Sequence, residues 1–191
     1  MSRIERRLRE KKEIRQRILD TAREIAAREG WRAVTIRRIA ESIEYTPPIV
    51  YEHFDGKETL IKELIYSAFR MIQDDIEKVK TVENDPKKLI LDISLVYWDF
   101  AQNNNELFML MFNIERPIPN EEMESIFHHL KGVFKILAQG DEDVSQELML
   151  AWACLLHGAL FVLFIIKPPH FEYRDKREVF TAIINRFLNS L

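Results

Sequence analysis

TIRRIAESIEYTPPIVYEHFDGKETL, residues 35–60, reads as two short helices, a tight turn and the opening of a third helix. Thr35 is a hydroxyl N-cap ahead of Ile36, Ile39, Ala40 and Ile43, an apolar set at helical spacing. Thr46 is a second N-cap. Pro47 follows it at the first helical position, where the missing N–H has no intrahelical partner to lose. Val50 and Phe54 lie four apart and predict the buried face of the second helix. Asp55 is expected to cap a third helix opening at Lys57. Two short helices joined by about four residues form the helix-turn-helix signature, whose second helix enters a DNA major groove.

With Val50 and Phe54 inward, helical geometry turns Pro48, Ile49 and Glu52 outward and puts Tyr51 and His53 on the flanks. That face carries no arginine or glutamine, so base readout should be sparse and partly apolar. Pro47, Pro48 and Ile49 can pack on thymine methyls, and Glu52 can accept from a cytosine amino group. Thr46 completes this surface as the residue that starts the helix. Phosphate contacts are expected from Thr35, Arg37 or Arg38, Tyr51, His53, Lys57 and the N–H groups that open the third helix. The structural alternatives are that Tyr51 only packs and that the two arginines are only solvated.

Gly30, the Thr35-Ile36-x-x-Ile39-Ala40-Glu41 run, Thr46 and Tyr51-x-His53-Phe54-x-x-Lys57-Glu58-x-Leu60 resemble the DNA-binding domain of TetR/AcrR-type transcriptional regulators. The resemblance runs from about Ile18 to Leu60 and implies that Tyr51 and Lys57 touch DNA. The turn departs from the family pattern, which has glycine and then a small apolar residue where this chain has Glu44 and Tyr45. Glycine suits that position because positive φ costs it little, so Glu44 either bears strain or shapes the turn differently. Pro47-Pro48 is a further departure; it stiffens the start of the second helix and removes polar side chains from it.

The chain has 191 residues and a formal net charge of -3, a balance that by itself argues against a nucleic-acid partner. The charge is unevenly placed. Residues 1–62 hold 15 basic and 11 acidic residues, net +4, and residues 63–191 hold 13 and 20, net -7. A basic front on an acidic rear suits a DNA-binding head on a body that does not bind DNA. The single cysteine, Cys154, excludes an intrachain disulfide and suits a reducing cytoplasm; its apolar surroundings predict a buried thiol. The charged N-terminus is unlike a signal peptide, and the expected location is cytoplasmic.

Outward from the motif, residues 3–17 carry eight basic and three acidic residues, an arm that either touches phosphates or is a solvated helix extension. Ile14, Ile18, Ala22, Ile25 and Ala26 then mark a helix, Gly30 ends it in a left-handed conformation, and Trp31 is expected to plug the head's core. The Lys57 helix should run to about Val79 and link head to body. Further helices are expected over about 87–102, 106–112, 120–137, 144–166 and 173–189, with no strand pattern or repeat. The expected fold is therefore all-α, about nine helices, with a helix-turn-helix head over 1–62 and an effector-binding and dimerisation bundle over 63–191.

The body extends the resemblance. Tyr97-Trp98-x-Phe100-Ala101-x-Asn103-x-x-x-Leu107-Phe108-x-x-Met111-Phe112, followed by Trp152-x4-His157-Gly158, resembles the family branch named for its Trp-His-Gly motif. Leu148 to Ile166 is apolar almost throughout, long enough to span a bilayer. A helix buried both in a core and in a subunit interface reads the same way. Ala151, Cys154 and Gly158 fall on one face and permit close helix approach. With Ile183 and Phe187 of the last helix they form the expected homodimer interface, a four-helix arrangement that the resemblance implies. Trp98, Phe108, Met111, Phe112 and Trp152, with His128 or His157 as polar anchors, are either plain core or the wall of an apolar effector pocket. Asn113 is a further candidate anchor.

No metal-ligand spacing, nucleophile elbow or phosphate-binding glycine loop is present, so neither a metal, a cofactor nor an enzyme activity is expected. Three functions remain open. The first is a ligand-responsive regulator, of repressor type, that binds a palindromic operator in duplex DNA as a dimer and answers to a small apolar effector, away from any membrane. The second is a DNA-binding protein that acts constitutively or under a protein partner. The third is a small helical lipid carrier or membrane-associated protein.

Overall fold

The computed structural model describes residues 3–80, 85–112, 121–166 and 175–191. The side chains of Phe112 and of residues 122–123 lie outside the described set, as do Asn113 and residues 116–120, 168–169 and 173, on which some of the expectations fall. The all-α expectation holds, with nine α-helices among the described residues. They are α1 (Arg3–Glu29), α2 (Ile36–Ser42), α3 (Pro47–Tyr51), α4 (Gly56–Lys80), α5 (Pro86–Asn103), α6 (Asn105–Phe112), α7 (Glu121–Leu137), α8 (Glu142–Phe161) and α9 (Lys176–Asn189). A 3-10 turn, Trp31–Ala33, follows α1, and α8 runs on into a π turn, Val162–Ile166.

The chain folds as two compact units. One comprises Met1–Ala68 with Asn105–Ile118, the other Phe69–Asn104 with Pro119–Leu191, so α4 contributes its first half to one and its second half to the other. The first unit builds its core from Ile18, Ala22 and Ile25 of α1, Ile39 and Ala40 of α2, Val50 and Phe54, and Leu60 and Leu64 of α4, all essentially solvent-free. Sequence reasoning left α6 in the body. It belongs instead to this unit, where Arg23 grips the Glu106 carboxylate at 2.8 Å and the Trp31 indole donates to the Glu106 carbonyl at 2.7 Å. Trp31 is therefore a half-exposed clasp on α6, not a core plug.

The second unit is a bundle in which α5 packs against α7, α8 and α9. Its caps are side-chain caps: Asp85 accepts from Lys87 N, Asp141 from Asp143 N and Val144 N, and Asp175 from Arg177 N and Glu178 N. The α8 cap places the helix start at Glu142, two residues before the expected start at Val144. Trp152 sits between Tyr97 and Phe134, and its Nε1 donates to Ser94 Oγ at 2.9 Å. Ser94 in turn donates to Ile90 O at 2.6 Å, so this buried polar pair is satisfied. Trp98 lies tilted on Phe164 and Phe180 and donates to Gln102 Oε1.

Candidate nucleic-acid interface

α2 begins as its sequence predicts: the Thr35 side chain accepts from Arg38 N at 3.2 Å. It ends in a two-bond C-terminal motif, Tyr45 N to Ala40 O and Glu44 N to Glu41 O, which requires a left-handed residue at Glu44. Glu44 has φ 62, so the turn keeps the geometry that glycine would give and the glutamate carries the strain. Arg17 braces the turn from α1, donating to Ile43 O at 3.2 Å with its guanidinium 5.8 Å from the Tyr45 ring centroid. Replacing Glu44 with glycine should relieve about 1 kcal/mol of left-handed strain. In thermal denaturation the Glu44→Gly chain is expected to melt roughly 2–4 °C above the parent; an unchanged or lower midpoint would mean that the strain is offset elsewhere.

Thr46 has the extended backbone of an N-cap but makes no side-chain cap hydrogen bond. With prolines at the first two helical positions, only Ile49 N remains in reach of the cap residue, and it bonds the Thr46 carbonyl at 3.0 Å. α3 is held to the core by Val50, fully buried, and by Phe54 just beyond it. Pro48, Tyr51 and Glu52 are exposed, Tyr51 by 57%, and Pro47, Ile49 and His53 are half-buried. Pro48 and Glu52 face outward as helical phase predicts, whereas Ile49, expected outward, is half-buried and Tyr51, expected on the flank, is exposed.

α4 starts at Gly56, one residue earlier than expected, with Gly56 at φ 86, a value that favours glycine. The Asp55 carbonyl accepts from Thr59 Oγ1 at 3.0 Å. Lys57 reaches back to the 3-10 turn and donates to Trp31 O at 3.1 Å, which leaves it exposed at the N-terminal end of α4. The arginines differ. Arg37 is exposed and, among the described residues, bonds its neighbour Glu41 alone, an i,i+4 surface pair that solvent weakens and a phosphate can displace. Arg38 is committed to structure: it grips both Glu29 oxygens at 2.7 and 2.9 Å and reaches Ala33 O at 3.3 Å. His53 Nδ1 is buried without a partner, and its pKa is lowered by burial first and then by Lys11. The ring is therefore neutral near pH 7 and can serve a phosphate only as a neutral donor.

The residues expected at an effector pocket are not brought together in one place. Trp98 and Trp152 are nearly solvent-free and interlocked as described above, while Phe108 is buried in the first unit on α6, where Met111 is half-buried. The Phe112 side chain lies outside the described residues. His128 is exposed. His157 Nδ1 lies 2.9 Å from Ala153 O, so it carries the proton, and the ring stands edge-on to Tyr97; burial lowers its pKa and keeps it neutral. The Tyr97 hydroxyl is pushed up to about 12 by burial. At the expected dimer surface, Ala151, Cys154 and Gly158 are exposed on α8, and Ile183 and Phe187 are half-buried on α9. The Cys154 thiol is thus not buried, contrary to expectation, because the face of α8 that carries it is not the face that carries Trp152, Leu156 and Leu160.

The tetR family of bacterial regulatory proteins matches residues 18–64, which span the core of α1, the whole turn and the start of α4. Residues 18–64 are thus a DNA-binding domain of the tetR type. The HTH-type transcriptional regulator YobS of Bacillus subtilis is 28% identical over 181 residues, 91% of this chain and 90% of YobS. YerO of the same organism is 30% identical over 147 residues, 73% of this chain but only 47% of YerO. Among solved structures, a TetR-family transcriptional regulator from Streptomyces coelicolor superposes with TM-score 0.70 at 21% identity, covering 94% of this chain and 96% of its own. The TetR-family regulator PfmR from Thermus thermophilus gives TM-score 0.65 at 21% identity, covering 92% and 95%. The chain is accordingly a helix-turn-helix, DNA-binding transcriptional regulator, and the two structures share its fold.

Proposed function

We propose that this regulator acts in the cytoplasm as a homodimer that represses transcription from a palindromic operator. The observation that carries the DNA reading is the braced turn. Glu44 in left-handed geometry, Arg17 behind it, and buried Val50 and Phe54 fix α3 with Pro48, Tyr51 and Glu52 outward. Phosphates supply most of the affinity, through Thr35, Arg37, Tyr51 and Lys57, because the α3 face has few hydrogen-bond donors. Functionally the head is 1–62 and the body 63–191, with α6 the part of the body that folds onto the head.

The dimer reading rests on α8. Glu142–Ile166 has a mean hydropathy of 2.4 over its most apolar stretch, yet only 22% of that stretch is buried within one protomer. Its small exposed residues border a groove of about 260 Å³ shared with Val179 and Ile183 of α9. A two-fold partner seated there covers the apolar face and closes a four-helix arrangement.

Lys57→Ala tests the phosphate assignment. In mobility shifts over a salt series, binding to selected and to random duplexes should weaken alike, and the slope of log K against log salt should fall by about one. A change in sequence preference with an unchanged slope would place Lys57 at a base.

The finer reading is a small, uncharged effector admitted near His157 in the Trp-His-Gly segment, since the apolar faces offer no partner for a buried charge. Such a ligand alters operator affinity only by favouring one spacing of the two heads, with α4 as the lever. The interlocked Trp98, Trp152, Phe134 and Phe180 rings favour a second reading, control without a small molecule. Tryptophan fluorescence and operator binding measured in one titration with apolar compounds separate the two: quenching with loss of binding supports an effector, and neither change supports the second.

A further inference from the structure

α1 is longer than the head needs. Its buried residues begin at Ile18, while Arg3–Glu13 are exposed throughout, two and a half to three turns of helix beyond the core. The direction of this overhang is set by helical phase. At 100° per residue, Ile4, Arg7, Leu8 and Lys11 fall on the same face as Ile18, Ala22 and Ile25, the face that packs into the head. Ile4 is 72% and Leu8 57% exposed, so the inward face of α1 continues past the head with nothing against it.

What stands beside the root of that overhang is the end of the recognition segment. Arg15 stacks 4.8 Å from the Phe54 ring centroid and pairs with Glu63 at 2.9 Å, which fixes α1 against the α3–α4 junction. One turn further out, Lys11 is near enough to His53 to act on its charge state. Residues 3–12 hold six basic and two acidic side chains, but the cations on the two faces are differently engaged. Arg6 and Arg9, on the outer face, pair with Glu10 and Glu13. Arg7 and Lys11, on the inner face, have no acidic partner among the described residues.

We infer that the inner face of the α1 overhang is a second DNA-contacting surface, which carries the interface beyond α3 by placing Arg7 and Lys11 on nearby backbone phosphates of one strand. The occupant is duplex DNA because the face is continuous with the α3 surface and is cationic where it is unpaired. The spacing fits. Four residues of helix separate the two cations by about 6 Å along the axis, and one strand of a duplex presents a charge every ~3.4 Å of its axis, so the pair reaches two phosphates one to two steps apart. Ile4 and Leu8 then lie against the sugar edges between them. This inference rests on the DNA reading above and adds to it a footprint longer than the helix-turn-helix alone would leave.

The test is a pair of full-length double variants, Arg7→Gln/Lys11→Gln on the inner face and Arg6→Gln/Arg9→Gln on the outer. Both are compared with the parent on a duplex selected from a random pool, by salt-dependent binding and hydroxyl-radical footprinting. All four positions are exposed, and circular dichroism checks that the fold is kept. The inner variant is expected to lower the salt slope by about two, to weaken binding roughly 10- to 100-fold at low salt, and to shorten the protected tract at its outer edge; the outer variant should change the slope by less than half as much. Equal effects from the two variants, or a parent footprint and slope kept by the inner one, overturn the inference while leaving α3 recognition intact. If the parent binds no duplex, it is the DNA reading that fails. Vesicles of anionic phospholipid are the remaining arm: loss of vesicle binding by the inner variant, with its DNA slope unchanged, assigns the face to a membrane surface instead.

Discussion

Gly158→Leu is expected to leave the protomer folded and to abolish its pairing. A Cβ built on Gly158 meets nothing within 4 Å, and the residue is exposed on α8, so the protomer has room for a side chain there. Within the helix the change is favourable by up to about 1 kcal/mol, because leucine restricts the unfolded chain more than glycine does. Between two protomers the effect reverses. Ala151, Cys154 and Gly158 keep one strip of α8 short beside Leu155, and a leucine at position 158 separates the paired helices and the α9 residues beside them. Light scattering should report a species near 22.8 kDa in place of one twice that mass. Operator affinity should fall by about 10²–10⁴, because each head then binds its half-site without the other to hold it there. A clean dimer with unchanged operator affinity would put the interface elsewhere. A folded but membrane-partitioned parent would give α8 the bilayer role that its composition also permits.

Trp152→Ala is expected to be the most destabilising single change in the second unit. The ring is 2% exposed and packed between Tyr97 and Phe134, and its removal opens a cavity in that core. It also takes away the donor to Ser94 Oγ, although Ser94 keeps its own bond to Ile90 O. Large aromatic truncations of this kind cost about 3–5 kcal/mol. The midpoint of urea denaturation should fall accordingly, with Trp152→Phe losing much less. The magnitude is informative about function. A tryptophan that formed one wall of an open effector pocket would lose far less on truncation, since its contacts on that side would already be missing. A cost below about 1 kcal/mol would return Trp152 to the pocket wall.

What was legible in the sequence is what is decided within a few residues. The Thr35 cap, the inward phase of Val50 and Phe54, and the outward phase of Pro48 and Glu52 are i to i+4 relationships, and the structure reproduces them, although Ile49 is half-buried where phase turned it outward. The strain at Glu44 was legible for the same reason, as a departure from a position where glycine is the easy choice. Thr46 shows a limit even at this range: two consecutive prolines leave only Ile49 N in reach, and that N–H bonds the Thr46 carbonyl instead of its hydroxyl. Long-range pairing was not legible. Nothing in the α6 sequence says that it folds with the head, because the bonds responsible join Glu106 to Arg23 and Trp31 across more than seventy residues. Cys154 illustrates a third limit. Hydropathy reports that a residue sits among apolar neighbours, and it reads alike for the inside of one protomer and for a face left for another surface to cover. The aromatic residues of the body divide in the same way. Their number suggests a pocket or a core, and only the ring contacts of Trp98 and Trp152 distinguish the two.

The central claim is that two heads of one dimer read one duplex. Sedimentation of the full chain with a duplex selected from a random pool tests it most directly, because the mass of the complex counts the chains bound. The account predicts two chains on a selected sequence with two-fold symmetry, its half-sites one helical turn or a multiple apart, about 34–36 Å centre to centre for one turn. A complex with a single chain on an asymmetric sequence, or a pool from which no duplex is enriched, would contradict it.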